Sequence, residues 1–297
     1  MNVLIATDGS KASTTALRTA DRLLSPIDRH LELLCVAPKH PKKDHSRAST
    51  RGYERSALRE MAQILEKSRI IFPPDAGTIN KRMEIGSPSG IIVNRAEDHD
   101  LTVIGTKGRG AIGASGLGPV AGRVAEHAMA PVLVARELRS EDSIRVLVAV
   151  DGSAASLHAV ETLRSLFDLR SAEVCLMHVA ETPWIEAVPD EDWVTYSEED
   201  KAHTDIGALE REMNREADAI VEQARDLFRS QRISLTIRID EGDPANEIIS
   251  EAERGQYDLV VVGATGVRDL KHSMLGSVSS KIAWNAPCSV LIVREPD

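Results

Sequence analysis

Aromatic side chains make up only 3 % of the 297 residues, and cysteine occurs three times, at Cys35, Cys175 and Cys288. So few aromatics rule against a stacking groove for single-stranded nucleic acid, and they leave the core to Val, Ile, Leu and Ala. An odd cysteine count without a C-x-x-C argues against a disulfide framework and a thiolate zinc site, and fits reduced thiols in a cytoplasmic protein. No stretch approaches the ~18 apolar residues of a membrane span, and the opening MNVLIATDGS is too short and lacks the basic flank of a signal peptide. No G-x-x-x-x-G-K-[ST] phosphate loop occurs. The G-x-G-x-x-G at 108–113 follows the fourth strand rather than the first and lacks the acidic residue expected ~20 positions on, so it does not read as a dinucleotide fingerprint. No Ser-His-Asp set, metal-ligand cluster or carboxylate pair stands out.

Charge is present and uneven. The net charge of −10 disfavours nucleic acid as a partner. Residues 1–142 carry 21 Lys and Arg against 17 Asp and Glu, a net of +4, and the remainder carries 15 against 29, a net of −14. The division coincides with a repeat. VLIATDGS (Val3–Ser10) recurs as VLVAVDGS (Val146–Ser153), LLCVA (Leu33–Ala37) as LMHVA (Leu176–Ala180), and EIGSPSGII (Glu84–Ile92) as DEGDPANEII (Asp240–Ile249). DLTVIGTKG (Asp100–Gly108) recurs as DLVVVGATG (Asp258–Gly266), and PVLVAR (Pro131–Arg136) as SVLIVR (Ser289–Arg294). Five blocks in one order read as a tandem duplication: one domain over residues 1–138, a second over 144–297, and the polar linker Glu137–Ser143 between.

Each half gives the same string of elements. Val3–Thr7 is a continuous apolar run, as a strand buried on both faces reads. A helix over Lys11–Leu24 follows, capped by Ser10. Strands are then expected at Leu31–Val36, Asn80–Ile85, Leu101–Ile104 and Val132–Arg136, and helices at Glu54–Arg69, Ser89–Glu97 and Val120–Met129. In the second half the strands fall near Val146–Val150, Glu173–Val179, Thr236–Ile239, Leu259–Val262 and Val290–Val293. Alternation of this kind means α/β domains, each a parallel sheet with helices on both faces. Ligands then bind beyond the carboxyl ends of the strands, where strand order reverses.

Two segments reach that edge: the Asp-Gly-Ser turn after strand one and a glycine-rich loop after strand four. In the second half the loop runs Gly263-Ala264-Thr265-Gly266, nine residues, then Gly276-Ser277-Val278-Ser279. Glycines let backbone N–H groups approach a ligand, the following helix start favours an anion, and Ser277 and Ser279 add hydroxyl donors. Strand-Asp-Gly-Ser, Gly-x2-Gly-x9-Gly-Ser and a closing Val-Leu-Ile-Val resemble the universal stress protein family, over nearly the whole chain and twice. The resemblance implies Rossmann-like domains of the adenine nucleotide alpha hydrolase type, each with five parallel strands in order 3-2-1-4-5. It implies ATP held between strands one and four, and the acidic second half around such an anion site makes Mg²⁺ an expected companion. Asp151, beside Ala149 and Val150, would lie at the ribose and phosphates, and the Val179 backbone at adenine. Gly263, Gly266, Gly276, Ser277 and Val278 would cradle the phosphates, with Val262, Thr265 and Ser279 also at the nucleotide. Thr7, Asp8, Val36, Gly105, Lys107, Gly108 and Gly118 are the weaker counterparts in the first half.

The first half departs from the pattern. Pro119 stands where the second half has Ser277, and Ala121 where it has Ser279. Proline has no N–H, so a phosphate donor and two hydroxyls are gone, and ATP is expected chiefly in the second half. Lys107 and Arg109 offer partial compensation by pairing with phosphate. Asp8 and Asp151 read either as turn residues at a helix start or as ligand contacts, and Ser277 either as a cap or as a phosphate donor. His178 reads as a histidine satisfied within the core, and Cys288 as a small buried hydrophobe. The segments after strand two have opposite charge: +4 over Lys39–Arg55 and −8 over Glu181–Asp200, where Trp184, Trp193 and Tyr196 also lie. They read as solvated loops or as complementary lids that meet in cis, across a dimer or on a partner. The resemblance further implies a nucleotide-responsive stress regulator, with pairing through strand five, either within the chain or as a homodimer. An interaction scaffold without nucleotide and a slow ATPase are the other readings.

Overall fold

The structure is a computed structural model that describes residues 1–39, 47–109, 116–139, 143–180, 206–231, 233–266 and 275–295, with residues 47–50 and 206–210 described as backbone only. The first half runs β1 (Asn2–Ala6), α1 (Lys11–Leu23), β2 (His30–Ala37), α2 (Arg47–Arg69), β3 (Thr78–Ile85), α3 (Pro88–Ala96), β4 (Leu101–Gly105), α4 (Pro119–His127) and β5 (Val132–Ala135). The second half repeats it: β6 (Arg145–Ala149), α5 (Ala154–Leu166), β7 (Glu173–Ala180), α6 (Ile206–Asp226), β8 (Ser234–Glu241), α7 (Pro244–Arg254), β9 (Leu259–Gly263), α8 (Ser277–Asn285) and β10 (Ser289–Val293). The expected elements are all found. Their ends move by a residue or two, except that α2 begins at Arg47 rather than near Glu54.

Continuous apolar runs become central strands because both faces are covered. Val3, Leu4 and Ile5 of β1, and Leu147 and Val148 of β6, are fully buried. Helix α1 starts where Ser10 accepts a hydrogen bond from the Ser13 N–H at 3.2 Å, and α5 repeats this with Ser153 and Ser156 at 3.1 Å. Each helix then turns a small-residue and leucine face (Ala16, Leu17, Ala20; Ala159, Val160, Leu163) onto the sheet.

Each half contributes five parallel strands, as expected, and the two sets join edge to edge. The ten strands form one sheet in the order β3-β2-β1-β4-β5-β10-β9-β6-β7-β8. Neighbours within each half are parallel, and β5 and β10 join antiparallel, with Leu133 opposite Leu291 and Val134 opposite Val290. Two apolar layers, one on each face, therefore run through both halves without a break. This pairing is the intramolecular one of the two expected. It occupies the strand-five edges of both halves, so a homodimer through those edges finds them already used, and the outer edges are β3 and β8.

The junction is further tied by matched residues. Arg136, at the end of β5, donates to Cys288 O at 2.9 Å and Ala283 O at 2.8 Å. Its counterpart Arg294 donates to Ala128 O at 2.8 Å and Glu126 O at 2.6 Å. Each guanidinium thus satisfies carbonyls at the C-terminal end of the other half's last helix, where helix carbonyls lack partners and a cation is favoured. On the other face Ser25 N donates to Leu166 O and Asp168 N to Leu23 O, both at 2.9 Å. Among the described residues, no helix is long and apolar enough to cross a membrane.

Candidate functional site

Strand β1 leads to β2 on one side and later to β4 on the other, so strand order reverses at β1, and in the second half at β6. A cleft opens beyond the carboxyl ends of the strands at each reversal point, as parallel sheets provide. The second-half cleft has a volume of about 590 Å³ and the first-half cleft about 540 Å³.

All twelve residues expected at the second-half site line its cleft: Ala149, Val150 and Asp151 from the end of β6, Val179 from β7, Val262, Gly263, Thr265 and Gly266 from β9 and its loop, and Gly276, Ser277, Val278 and Ser279 at the start of α8. At the strand ends, Val150 N donates to Met177 O at 2.9 Å and Gly242 N to Ala180 O at 3.1 Å. Backbone groups alternate sides along a strand, so Val179 presents its N–H and C=O past the end of β6, toward the cleft. The first half reproduces this with Thr7 N to Leu34 O and Gly86 N to Ala37 O, both at 2.9 Å. Val36 therefore takes the same orientation as Val179.

Asp151 forms a turn. Its Oδ1 accepts from the Ser153 N–H at 3.0 Å and the Ser153 hydroxyl at 2.6 Å. Ser153, not Asp151, caps α5. Gly152 makes the turn possible with a φ of +78° and lies under Ile220 of α6.

Three of these residues also serve the fold. The Ser279 hydroxyl donates to Gly263 O at 2.5 Å and ties α8 to β9. The Gly276 N–H is likewise committed, to Ala264 O at 2.8 Å. Gly263 is required for packing, because a Cβ there would stand 2.8 Å from Ser156 N and 2.9 Å from Ala155 C. The anion donors that remain are the backbone N–H groups of Ser277, Val278 and Ser279, which have no partner in the helix because α8 begins at Ser277. The exposed Ser277 side chain makes no cap bond.

In the first half, Thr7, Asp8, Val36, Gly105, Lys107 and Gly108 line the cleft, while Gly118 lies outside the lining with its N–H bonded to Thr106 O at 2.7 Å. Helix α4 begins at Pro119. A proline at this position costs the helix nothing but removes one of the three free N–H groups, leaving Val120 and Ala121. Both oxygens of Asp8 are engaged: Oδ1 by Ser10 N at 3.0 Å and Oδ2 by Arg109 N at 2.8 Å. Burial opposes ionisation of Asp8, but hydrogen bonds from Ser10, Arg109 and Ser13 outweigh it and hold the carboxyl below its usual range. The Arg109 guanidinium pairs with Glu60 of α2.

His178 donates through Nδ1 to Val150 O at 2.8 Å, a satisfied position on the cleft wall. Cys288 is fully buried, and burial pushes its thiol up to about 12. Cys35 is pushed up to about 11, again chiefly by burial. Among the described residues, no group of three or more His, Cys, Asp or Glu side chains is arranged to hold a metal. The proposed lids lie largely outside the described residues, which omit 40–46 and 181–205.

Sequence reading missed the third wall. In the second half it comes from α6, through Met213, Glu216, Ala217 and Ile220. In the first half it comes from α2, through Ala57, Glu60, Met61 and Ile64. The signal was a shared helical stripe: each residue of one set matches one of the other at a constant offset, with a glutamate recurring on the same face.

Comparison with known proteins places these features in context. The sequence model of the universal stress protein family matches residues 1–136 and again 144–294. A universal stress protein of Mycolicibacterium smegmatis is 25 % identical over 300 residues, covering 98 % of this chain and 96 % of its own. A universal stress protein of Bacillus subtilis is 33 % identical over 150 residues, covering 50 % of this chain and 98 % of its own. Among solved structures, a universal stress protein from Archaeoglobus fulgidus superposes with a TM-score of 0.57 at 19 % identity, covering 100 % of this chain and 97 % of its own, which speaks for the fold.

Proposed function

The chain belongs to the universal stress protein family, and from that premise we propose that it binds an adenine nucleotide, ATP with Mg²⁺, in the second-half cleft and acts as a nucleotide-responsive stress regulator. The observation that carries this reading is the convergence of three features on one cleft: the open Val179 backbone, the Asp151 turn, and the three free N–H groups at the start of α8. The first suits the hydrogen-bonding edge of a base. The last suit phosphate oxygens, which charge-assisted N–H bonds and the positive end of a helix both favour.

Among the described residues, the lining of this cleft carries two carboxylates, Asp151 and Glu216, and no Lys or Arg. A phosphate chain meets local negative charge there, so a divalent cation between chain and protein is part of the reading. Calorimetric titration tests it. Mg-ATP binds the full chain, and binding weakens at least about tenfold without the cation. Ser277→Pro, which copies the first half, also weakens Mg-ATP about tenfold with little change in Tm, because one charge-assisted bond is removed at a position where proline is tolerated. Equal affinity with and without Mg²⁺, or in Ser277→Pro, contradicts the reading.

A further inference from the structure

Helices α2 and α6 occupy equivalent places, each over the outer strands of its half and on the same face of the sheet. Their buried sides are alike: Ala57, Met61 and Ile64 on α2, and Ala217, Val221 and Ala224 on α6. Their charges are opposite. Arg47–Arg69 carries six Lys and Arg against three Glu, a net of +3. Ile206–Asp226 carries three Arg against six Asp and Glu, a net of −3.

The difference lies on the outward sides. Arg51, Arg55 and Arg59 follow one another at i,i+4 spacing and are exposed, with Leu58 42 % exposed beside them. Among the described residues none of these three arginines has an ion-pair partner, since Glu60 is taken by Arg109 and Glu66 by Lys81. Like charges at this spacing repel and weaken a helix, so the fold gains nothing from the row. On α6, Asp218, Glu222 and Asp226 form the same i,i+4 row in acid, all exposed. Glu222 and Asp226 hold exposed i,i+3 partners, Arg225 and Arg229, and such surface pairs are weak and exchange readily.

The two rows cannot meet within one chain. Strands β2 and β7, which lie under α2 and α6, are seven places apart in the sheet. That is about 34 Å at ~4.8 Å per strand, several times the ~8 Å Debye length at ~0.15 M salt. A second copy brings them together. A two-fold axis along the strands stacks the helix faces of two copies and sets α2 of each against α6 of the other. The two helices then run antiparallel, because the strands of the two halves run in opposite directions. In one register Arg51, Arg55 and Arg59 meet Asp226, Glu222 and Asp218. The two-fold makes every contact twice.

We propose that a second copy of this chain is the partner of the α2 arginine row, in a two-fold dimer where each α2 lies on the other copy's α6. The strand-five edges are already joined within the chain, so this surface is separate from the one that unites the halves.

Sedimentation velocity of the full chain tests the proposal. The chain dimerises at about 0.05 M NaCl, and about 0.5 M NaCl weakens the dimer at least tenfold, as screened charges require. The triple variant Arg51→Glu, Arg55→Glu, Arg59→Glu is monomeric at low salt, and so is Asp218→Arg, Glu222→Arg, Asp226→Arg. Mixed in equal amounts the two pair again, because each supplies the sign that the other lacks. A wild-type monomer at low salt, a dimer indifferent to salt or to either triple variant, or no pairing between folded variants on mixing overturns the proposal. So does a monomer whose arginine row binds anionic lipid vesicles or an acidic peptide instead. Should a triple variant not fold, Arg55→Glu alone weakens the dimer at least about tenfold, and an unchanged dimer is contrary to the proposal.

Discussion

Pro119 and Ser277 stand at the same place, the first residue of a nine-residue helix that follows a glycine cap. The fold is indifferent to which of them is there. The first N–H of a helix has no partner within the helix, so proline removes nothing that folding uses. The same substitution removes a donor that an anion would use. The two clefts show this separation throughout. Gly105 and Gly263, the Asp-Gly-Ser turns and the apolar strands are matched between the halves because α1 and α5 must lie close on the sheet. Pro119 and Ser277, which differ, stand at the helix start that borders each cleft. Duplication has kept the scaffold symmetric and left the chemistry free to diverge.

The largest expected effects test the symmetric part. A Cβ at Gly105 would stand 2.6 Å from Ala12 O, as one at Gly263 would crowd Ser156 N. Gly105→Val and Gly263→Val should each cost about 3 kcal/mol or more in urea unfolding, since backbone atoms have to move. A much milder loss at Gly263 would mean that its glycine serves a ligand and not the packing.

Next come the crossed arginines. Arg136→Ala and Arg294→Ala each leave carbonyls of the opposite helix end without a partner. Each should lower stability by about 1–3 kcal/mol, and by similar amounts. Unequal losses would break the symmetry claimed for the junction.

The smallest effect sharpens the difference at Asp8. Its folded carboxyl titrates below the usual range, so its contribution is present above the unfolded pKa of ~3.9 and is lost as pH falls through the folded value. Asp8→Asn should lower Tm at pH 7, and the difference from the wild type should shrink below about pH 4. A constant difference down to pH 2 would show that the carboxylate charge is not what Ser10 and Arg109 hold.

Much of this was legible from the residues alone. Recurrence of VLIATDGS as VLVAVDGS, and of the glycine spacing, located both clefts, because turn and loop residues at strand ends are fixed by local backbone demands. Three things were not. That β5 joins β10 within the chain, rather than across a homodimer, depends on which hydrophobic edge meets which, and periodicity within either strand does not encode that. The commitment of the Ser279 hydroxyl to Gly263 O depends on how α8 lies against β9, a packing angle invisible in sequence. The α2 and α6 walls were written in plain view as Glu60 and Glu216 on matching stripes, but their helices fall where the two halves are least alike in sequence.

The central claim is that one cleft takes the nucleotide and the other does not. Native mass spectrometry of the full chain with excess Mg-ATP counts bound nucleotides directly. The account predicts one ATP per chain, lost in Met213→Trp at the second-half cleft and retained in Ser56→Trp at the first. Two ATP per chain, or one that survives Met213→Trp and disappears in Ser56→Trp, would contradict it.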